Sequence, residues 1–495
     1  MKKKLFAFIL AAAMTLGMSM SAFAAGNFKI TINPIAESTV AHTYEAYQVF
    51  AGDLSADGNT LSNVTWGNGV TGKITFGGAE YDTAVATDAA KLAKALEGKS
   101  AAELADAVTF ATPAKTVTAP GPDKATVIDE LDPGYYIVKD KDNSLAGAND
   151  SYSQYMVQVV GDATVTAKAD VPSTQKKVKD VNDSTGEKSD WQDSADYDIG
   201  DVIPFQFSST VVSNIDAYDK YVYTFHDTEE AGLTYNKDAK AFLNGAEITC
   251  KEVTPLAGET FAIEVDLKAA GAVAGDVVTV EYSSTLNEDA VLGSAGNKNK
   301  MYLEYSNNPN GDGTGKTQED IVIVFTYKTE VNKVDEEMKP LSGAEFSVEK
   351  LVNGAWVALN VEVKDGNVFT VKGIDDGEYR IKETVTPNGY NTISDEYVYF
   401  TVTAEHDVLS DNPALKSLTA NAHGEDKETG LIGVYTFAPT QADGALSTTI
   451  VNQSGAILPS TGGIGTTIFY IIGGVLVVVA GSVLFVRKRM SREDY

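Results

Sequence analysis

Cysteine and histidine are scarce in this chain of 495 residues, which has one cysteine and four histidines. A single cysteine, Cys250, cannot form an internal disulfide, so any covalent cross-link within the chain must be of another kind. The histidines are widely scattered, at positions 42, 226, 406 and 423, so we expect no metal site. Phosphate-binding loops, nucleophile elbows and zinc-spaced patterns are also missing, and we expect neither an enzyme nor a cofactor.

Positive charge is also in short supply. The chain has 39 Lys and Arg against 69 Asp and Glu, which gives a formal net charge of −30. This balance argues against nucleic acid and against anionic membrane surfaces as partners. The hydrophobic fraction of 43% is nevertheless sufficient to build cores, so the chain is expected to fold.

Short runs of alternating apolar and polar residues dominate the chain, and they are rich in Val, Ile, Thr, Tyr and Phe, as at 221–225, 321–327 and 397–402. Gly, Asn and Asp separate these runs, which is typical of antiparallel strands in sandwiches. The stretch 84–110 is instead rich in alanine with helical spacing. We therefore predict an all-β chain of tandem immunoglobulin-like sandwiches, with a helical insertion in the first domain.

Both ends of the chain have the pattern of targeting segments. Three lysines precede an apolar stretch and a small-x-small site at 22–24, so residues 1–24 are predicted to be a signal peptide that directs export. Near the other end, an apolar run long enough to cross a bilayer is followed by Arg487, Lys488 and Arg489. Before that run stands a pentapeptide, Leu458, Pro459, Ser460, Thr461 and Gly462.

This order of pentapeptide, apolar span and basic tail resembles the LPXTG sorting signal of Gram-positive surface proteins. The resemblance implies that a sortase cleaves between Thr461 and Gly462 and passes the acyl group to an amine. The protein is then expected at the cell surface, anchored to the cell wall.

About 430 residues between the targeting segments suggest around three domains. A boundary is predicted near 170, where Pro172 restricts the backbone, and another near 328. The predicted division is an N-terminal domain at 25–170, two further domains at 171–327 and 328–455, and the sorting signal at 456–495.

The third predicted domain resembles the Cna B-type domain of Gram-positive adhesins and pilins. Lys333 stands in the first strand, Glu383 in the segment 379–390 that matches the family's E-box, and Asn452 in the last strand. The resemblance implies an intramolecular isopeptide bond from Lys333 to Asn452, with Glu383 as its catalyst. Strand alternation turns Glu383 toward the apolar face, and burial favours the neutral forms of lysine and carboxyl side chains. The alternative is an ordinary salt bridge on an exposed sheet.

The second predicted domain resembles the Cna A-type domain, in which the acid is usually Asp. By this resemblance we predict a bond from Lys176 to Asn307, catalysed by Asp227. Alternation favours Lys176 over its neighbour Lys177, and Asn307 over Asn308, because each shares a face with apolar residues. The alternative is a surface lysine pair with Asp and Asn in turns. The first domain has no comparable set around Lys29 or Glu130, and we predict no bond there.

The layout resembles that of sortase-assembled backbone pilins over nearly the whole chain. In that family Thr461 would join a lysine of the next subunit, and Lys168 stands where this acceptor is expected, although Thr166 and Ala167 replace the usual Tyr and Pro. The implied partners are a sortase, further copies of the chain, cell-wall peptidoglycan and minor tip or base pilins. The alternative function is that of a monomeric, wall-anchored adhesin.

Overall fold

The computed structural model describes residues 28–35, 38–54, 61–96, 99, 101–153, 156–159, 161–167, 170–425, 435–455 and 464–490. Strands dominate these ranges and pair into several sheets, so the predicted all-β fold of tandem sandwiches is confirmed. The predicted signal peptide, the pentapeptide 458–462 and Lys168 lie outside the described residues.

The first strands along the chain form an N-terminal unit. It consists of β1 (Phe28–Asn33), β2 (Thr43–Leu54), β3 (Leu61–Trp66), β4 (Val70–Thr71), β5 (Lys73–Phe76), β6 (Ala79–Asp82), α1 (Ala86–Ala95), α2 (Ala101–Ala107), β7 (Thr109–Phe110), β8 (Lys115–Thr118), β9 (Thr126–Leu131), β10 (Gly134–Asp140), β11 (Met156–Val159) and β12 (Ala163–Thr166). Its two main sheets have the orders β12-β1-β9 and β11-β10-β2-β3, with β8 also on β2. Helix α1 packs Leu92 into the core that contains Val49 and Ile137, which confirms the predicted helical insertion.

Two facing sheets then form a middle sandwich. Its strands are β13 (Thr174–Val178), β14 (Ser194–Asp196), β15 (Val202–Thr210), β16 (Val222–Glu229), β17 (Leu233–Tyr235), β18 (Lys240–Leu243), β19 (Ala246–Ile248), β20 (Lys251–Val253), β21 (Phe261–Asp266), β22 (Val277–Leu286), β23 (Asn297–Ser306), β24 (Thr314–Lys316) and β25 (Asp320–Phe325). One sheet has the order β13-β15-β22-β18-β19, and the other has the order β14-β25-β23-β16-β21-β20. Every second residue of β15 and β23 is buried, so both strands line one core.

The C-terminal sandwich has the same two-layer plan. Its strands are β26 (Tyr327–Asp335), β27 (Glu345–Val352), β28 (Ala355–Ala358), β29 (Glu362–Lys364), β30 (Val368–Ile374), β31 (Gly377–Val385), β32 (Val398–His406), β33 (Leu415–His423), β34 (Phe437–Thr440) and β35 (Ala445–Asn452). Its sheets have the orders β29-β30-β26-β35-β34 and β28-β27-β31-β32-β33. Strands β26 and β35 pair in parallel, so the first and last strands of this sandwich are neighbours.

The middle and C-terminal sandwiches follow one another directly, because only Thr326 separates β25 from β26. Lys350 of β27 is buried at their junction, and its Nζ lies 3.2 Å from Asp183, 2.7 Å from Asp198 and 2.5 Å from Asp375. This ammonium therefore joins carboxylates that come from both sandwiches.

Helix α3 (Ile464–Met490) is the last described element. Its portion Ile468–Arg489 is long and apolar enough to cross a membrane, and it is not buried against the rest of the chain. Arg487, Lys488 and Arg489 lie in its last turn. Length, composition and the basic end agree with the predicted membrane span.

Candidate functional site

The predicted lysine and asparagine of the C-terminal sandwich lie on neighbouring strands. Parallel pairing of β26 with β35 sets Lys333 opposite Ile450 and Asp335 opposite Asn452. Because alternate residues share a face, the side chains of Lys333 and Asn452 both point into the core. Both are buried, and Lys333 Nζ donates a hydrogen bond to the carbonyl oxygen of Ile450 at 3.0 Å.

Glu383 reaches the same point from the opposite sheet, on β31. Its Oε1 accepts a hydrogen bond from Asn452 Nδ2 at 2.8 Å and lies 4.0 Å from Lys333 Nζ. Within the described part of the chain, Asn452 Oδ1 has no hydrogen-bond partner. The structure thus brings all three predicted residues together, with the acid hydrogen-bonded to the amide.

Burial changes the protonation of this lysine. Loss of hydration lowers the pKa of Lys333 to about 8, although the negative charge of Glu383 acts in the opposite direction. An amine with this pKa is unprotonated for an appreciable fraction of the time near neutral pH, and only that form is a nucleophile. The site can therefore supply a neutral amine next to a carboxamide.

The middle sandwich also buries a lysine–acid pair. Lys176 of β13 and Asp227 of β16 are fully buried, come from opposite sheets and are directly hydrogen-bonded. Burial lowers the pKa of Lys176 and raises the pKa of Asp227, so both neutral forms are favoured. The ring of Phe207 packs against the lysine, 4.7 Å from Nζ to its centroid. The predicted lysine and acid of this sandwich are thus in contact.

Asn307, however, does not lie at this pair, contrary to the prediction from strand alternation. In the ladder of β16 with β23, Asp227 lies opposite Met301, six residues before Asn307. At about 3.3 Å per residue this puts Asn307 about 20 Å along the strand direction. Its Nδ2 instead donates to the carbonyl oxygens of Leu145 and Asp150 in the N-terminal unit, at 3.1 and 3.2 Å.

The structure places Asn299 at the pair instead. Asn299 lies two residues from Met301 on the same inward face of β23, and its side chain is buried. Its Nδ2 donates to the hydroxyl of Tyr282 at 3.0 Å, and that hydroxyl also contacts Lys176 and Asp227. Alternation could have marked Asn299 as inward-facing, but it could not fix which inward asparagine faces Asp227.

In the N-terminal unit, both residues considered from the sequence are exposed. Lys29 lies 3.9 Å from Asp162, and Glu130 forms an ion pair with Lys115 at 2.6 Å. Exposed pairs of this kind are ordinary surface interactions. The absence of a bond in this unit stays a prediction.

Two family models match the chain. A model of the prealbumin-like fold domain, SpaA, matches residues 327–412, and a model of the LPXTG cell wall anchor motif matches residues 450–490. The first match covers most of the C-terminal sandwich, including Lys333 and Glu383. The second covers Asn452, the pentapeptide and helix α3.

Relatives match over longer stretches. The chain is 26% identical over 410 residues to the trypsin-resistant surface T6 protein of Streptococcus pyogenes serotype M6, covering 69% of this chain and 72% of that protein. The solved T6 backbone pilin of the same serotype superposes with a TM-score of 0.56 at 16% identity, over 88% of this chain and 100% of that one. The full-length major pilin SpaD from Corynebacterium diphtheriae gives a TM-score of 0.49 at 16% identity, over 87% and 98%.

Proposed function

We propose that this chain, a homologue of the streptococcal T6 protein with a backbone-pilin fold and an LPXTG cell wall anchor, is the major subunit of a covalently polymerised pilus. It is a structural protein of the Gram-positive cell surface and a substrate of sortase. The observation that carries the proposal is the combination of the anchor at residues 450–490 with a pilin fold over 88% of the chain.

In this proposal, sortase cleaves the bond between Thr461 and Gly462 and holds Thr461 as an acyl-enzyme. The amine of a lysine in the next subunit then attacks the acyl carbon, which forms an amide and releases the enzyme. Lys168 is the candidate acceptor. The last subunit passes its Thr461 to peptidoglycan, and minor pilins can cap the tip or base.

The middle and C-terminal sandwiches each form an internal amide bond as they fold. In the C-terminal sandwich, the neutral Nζ of Lys333 attacks Cγ of Asn452, Glu383 carries the protons, and the side-chain nitrogen leaves as ammonia. In the middle sandwich, Lys176 attacks Asn299 with Asp227 as the acid. Fixed proximity provides most of the acceleration, since effective molarities of intramolecular reactions can reach about 10⁵ M.

These bonds fit the mechanics of a fibre. Bonds from Lys333 to Asn452 and from Lys176 to Asn299 each close a ring of about 120 residues, which on the chain-entropy model stabilises by about 4–5 kcal/mol. The first of these joins the first and last strands of its sandwich. In the C-terminal sandwich, tension along the pilus therefore passes through the bonded strands and does not peel them apart.

The test is an immunoblot of cell-wall extract after boiling in SDS, comparing wild type with Lys168→Ala and with Lys141→Ala as a control at another lysine. A ladder in wild type and the control that collapses to monomer in Lys168→Ala is the expected result. A ladder that survives in Lys168→Ala moves the acceptor elsewhere. A single band in all three strains contradicts the polymer and leaves the monomeric wall-anchored adhesin.

A further inference from the structure

The side chain of Tyr282 occupies the centre of the middle-sandwich site. It is on β22, in the same sheet as Lys176 and facing Asp227 and Asn299 of the other sheet. Its ring packs against Phe205, Phe207 and Phe261, with centroid distances of 5.4, 5.0 and 4.9 Å. This aromatic packing fixes the position of the phenol oxygen.

That oxygen contacts each of the other three members of the site. It accepts hydrogen bonds from Lys176 Nζ at 2.7 Å and from Asn299 Nδ2 at 3.0 Å, and it donates its own proton to Asp227 Oδ2 at 2.8 Å. One donor and two acceptor positions are all that a phenol offers, so its hydrogen-bonding capacity is fully used. Burial raises the pKa of Tyr282 well above its ordinary value, so the phenol is protonated at neutral pH.

The reacting amide reaches the acid through this hydroxyl. Asp227 Oδ2 takes hydrogen bonds from Lys176 and Tyr282, and its Oδ1 has no partner among the described residues. Asn299 Nδ2, the nitrogen that must leave, is bonded to Tyr282 and lies 3.4 Å from Glu229 Oε1. A proton thus reaches that nitrogen over a shorter distance from the Tyr282 hydroxyl, at 3.0 Å, than from the Glu229 carboxyl, at 3.4 Å.

We propose that Tyr282 is a further catalytic residue of the middle sandwich, which relays a proton from Asp227 to the departing nitrogen of Asn299. This inference rests on the proposed bond between Lys176 and Asn299. Asp227 first takes a proton from the Lys176 ammonium, and the neutral Nζ then bonds to Cγ of Asn299. Tyr282 gives its proton to Nδ2 and receives the proton of Asp227. Asp227 takes the surplus proton from Nζ, the Cγ–Nδ2 bond breaks, and ammonia leaves.

The test compares Tyr282→Phe with Tyr221→Phe in the full chain. Both changes remove one buried hydroxyl from the same core, and the Tyr221 hydroxyl has no partner among the described residues. Each chain is made by cell-free translation with detergent, quenched in acid over time and digested, and the linked peptides are quantified by mass spectrometry. The C-terminal bond in the same molecule is the internal reference for the amount of chain made and for folding of the C-terminal sandwich.

Loss of proton transfer typically slows a reaction by about 10²-fold or more. We therefore expect Tyr282→Phe to form the Lys176–Asn299 link at least about 100-fold more slowly than Tyr221→Phe, with the C-terminal link unchanged. Equal rates in the two variants would overturn the relay. Glu229→Gln tests the other path, and a block there with a normal rate in Tyr282→Phe also overturns it.

A difluorotyrosine at position 282 separates a relay from a structural hydroxyl, and it applies even if Tyr282→Phe folds poorly. This residue keeps the shape and the hydroxyl but has a more acidic phenol. A relay changes the rate and its pH profile, whereas an unchanged rate and profile overturn the proposal. If wild type itself has no Lys176–Asn299 link, the proposed bond fails, which is a different result from failure of the relay.

Discussion

The two buried centres contain the same three kinds of residue but connect them in opposite order. In the C-terminal sandwich, Glu383 bonds the amide of Asn452 directly, and the lysine nitrogen stands 4.0 Å from the acid. In the middle sandwich, Asp227 bonds the lysine directly, and a tyrosine hydroxyl connects it to the amide. The shorter Asp side chain needs an intermediary to the amide, whereas the longer Glu side chain does not.

A third buried lysine shows that burial alone does not make a nucleophile. Lys350 is as buried as Lys176 and Lys333, yet the carboxylates around it, Asp375 and Asp198 foremost, raise its pKa above the ordinary value despite desolvation. Lys176 and Lys333 each have only one carboxylate within 4.0 Å among the described residues, Asp227 and Glu383, and there desolvation prevails and the pKa is lowered. Several acids keep the ammonium charged, so Lys350 serves as an ionic link between sandwiches.

The largest expected effect comes from removing the acid at either centre. Glu383→Gln should abolish only the C-terminal bond, and Asp227→Asn only the middle one, because each acid serves its own sandwich. The intact protein then retains one ammonia more than wild type, and the affected sandwich loses about 4–5 kcal/mol of ring stabilisation. Intact mass measures the retained ammonia, and calorimetry measures the loss of stability. Loss of both bonds in either variant would contradict two independent sites.

Lys350→Met tests the contrast between reactive and ionic lysines. It should leave both ammonia losses unchanged but destabilise the junction by about 3–5 kcal/mol, because several buried carboxylates lose their counter-ion. The control is Lys372→Met, since Lys372 pairs with Glu362 on an exposed surface. Denaturant unfolding and intact mass are the measurements. A missing link in Lys350→Met would show that Lys350 takes part in a bond.

Asn307→Ala sharpens the distinction between Asn299 and Asn307, two buried asparagines of the middle sandwich. Both links should form normally, while contact with the N-terminal unit weakens by about 1–3 kcal/mol as the carbonyls of Leu145 and Asp150 lose their donor. Asn308→Ala is the control, at a half-buried neighbour whose side chain bonds Asp312 and Asn310 of its own loop. Hydrogen exchange in residues 145–153 measures the weakening. Loss of the middle link in Asn307→Ala would restore the partner predicted from the sequence.

The smallest expected effect is a pH dependence of the junction. Burial, with repulsion from neighbouring acids, raises the pKa of Asp201 to about 6 and that of Asp376 to about 7. Acids with raised folded pKa values bind more protons when folded, so stability is highest below the unfolded pKa and falls as pH rises through the folded one. We therefore expect the free energy of unfolding to fall as the pH rises from about 4, the ordinary pKa of an aspartate, to the folded values of about 6 and 7.

The double variant Asp201→Asn/Asp376→Asn should show a weaker dependence of the unfolding free energy on pH. The same pH dependence in wild type and double variant would exclude these two groups as its source.

Strand alternation predicted much of this molecule. It predicted that Lys176, Lys333 and Glu383 face inward, and all three are buried in the structure. It could not set the register of one strand against another, because every second residue of β23 faces the core equally well. Alternation therefore chose the inward-facing Asn307 over Asn308, but it gave no way to see that Asn299, further back on the same face, lies beside Asp227. Tyr282 was missed for a related reason, since only the pairing of β22 with β15 brings it beside Lys176.

Peptide mapping of the mature wild-type protein by tandem mass spectrometry detects the two proposed bonds directly. We expect two branched peptides, one joining Lys333 to Asn452 and one joining Lys176 to Asn299, each lighter by one ammonia. Unlinked Lys176 and Asn299, or a branch from Lys176 to Asn307, would contradict the site that the structure assembles in the middle sandwich.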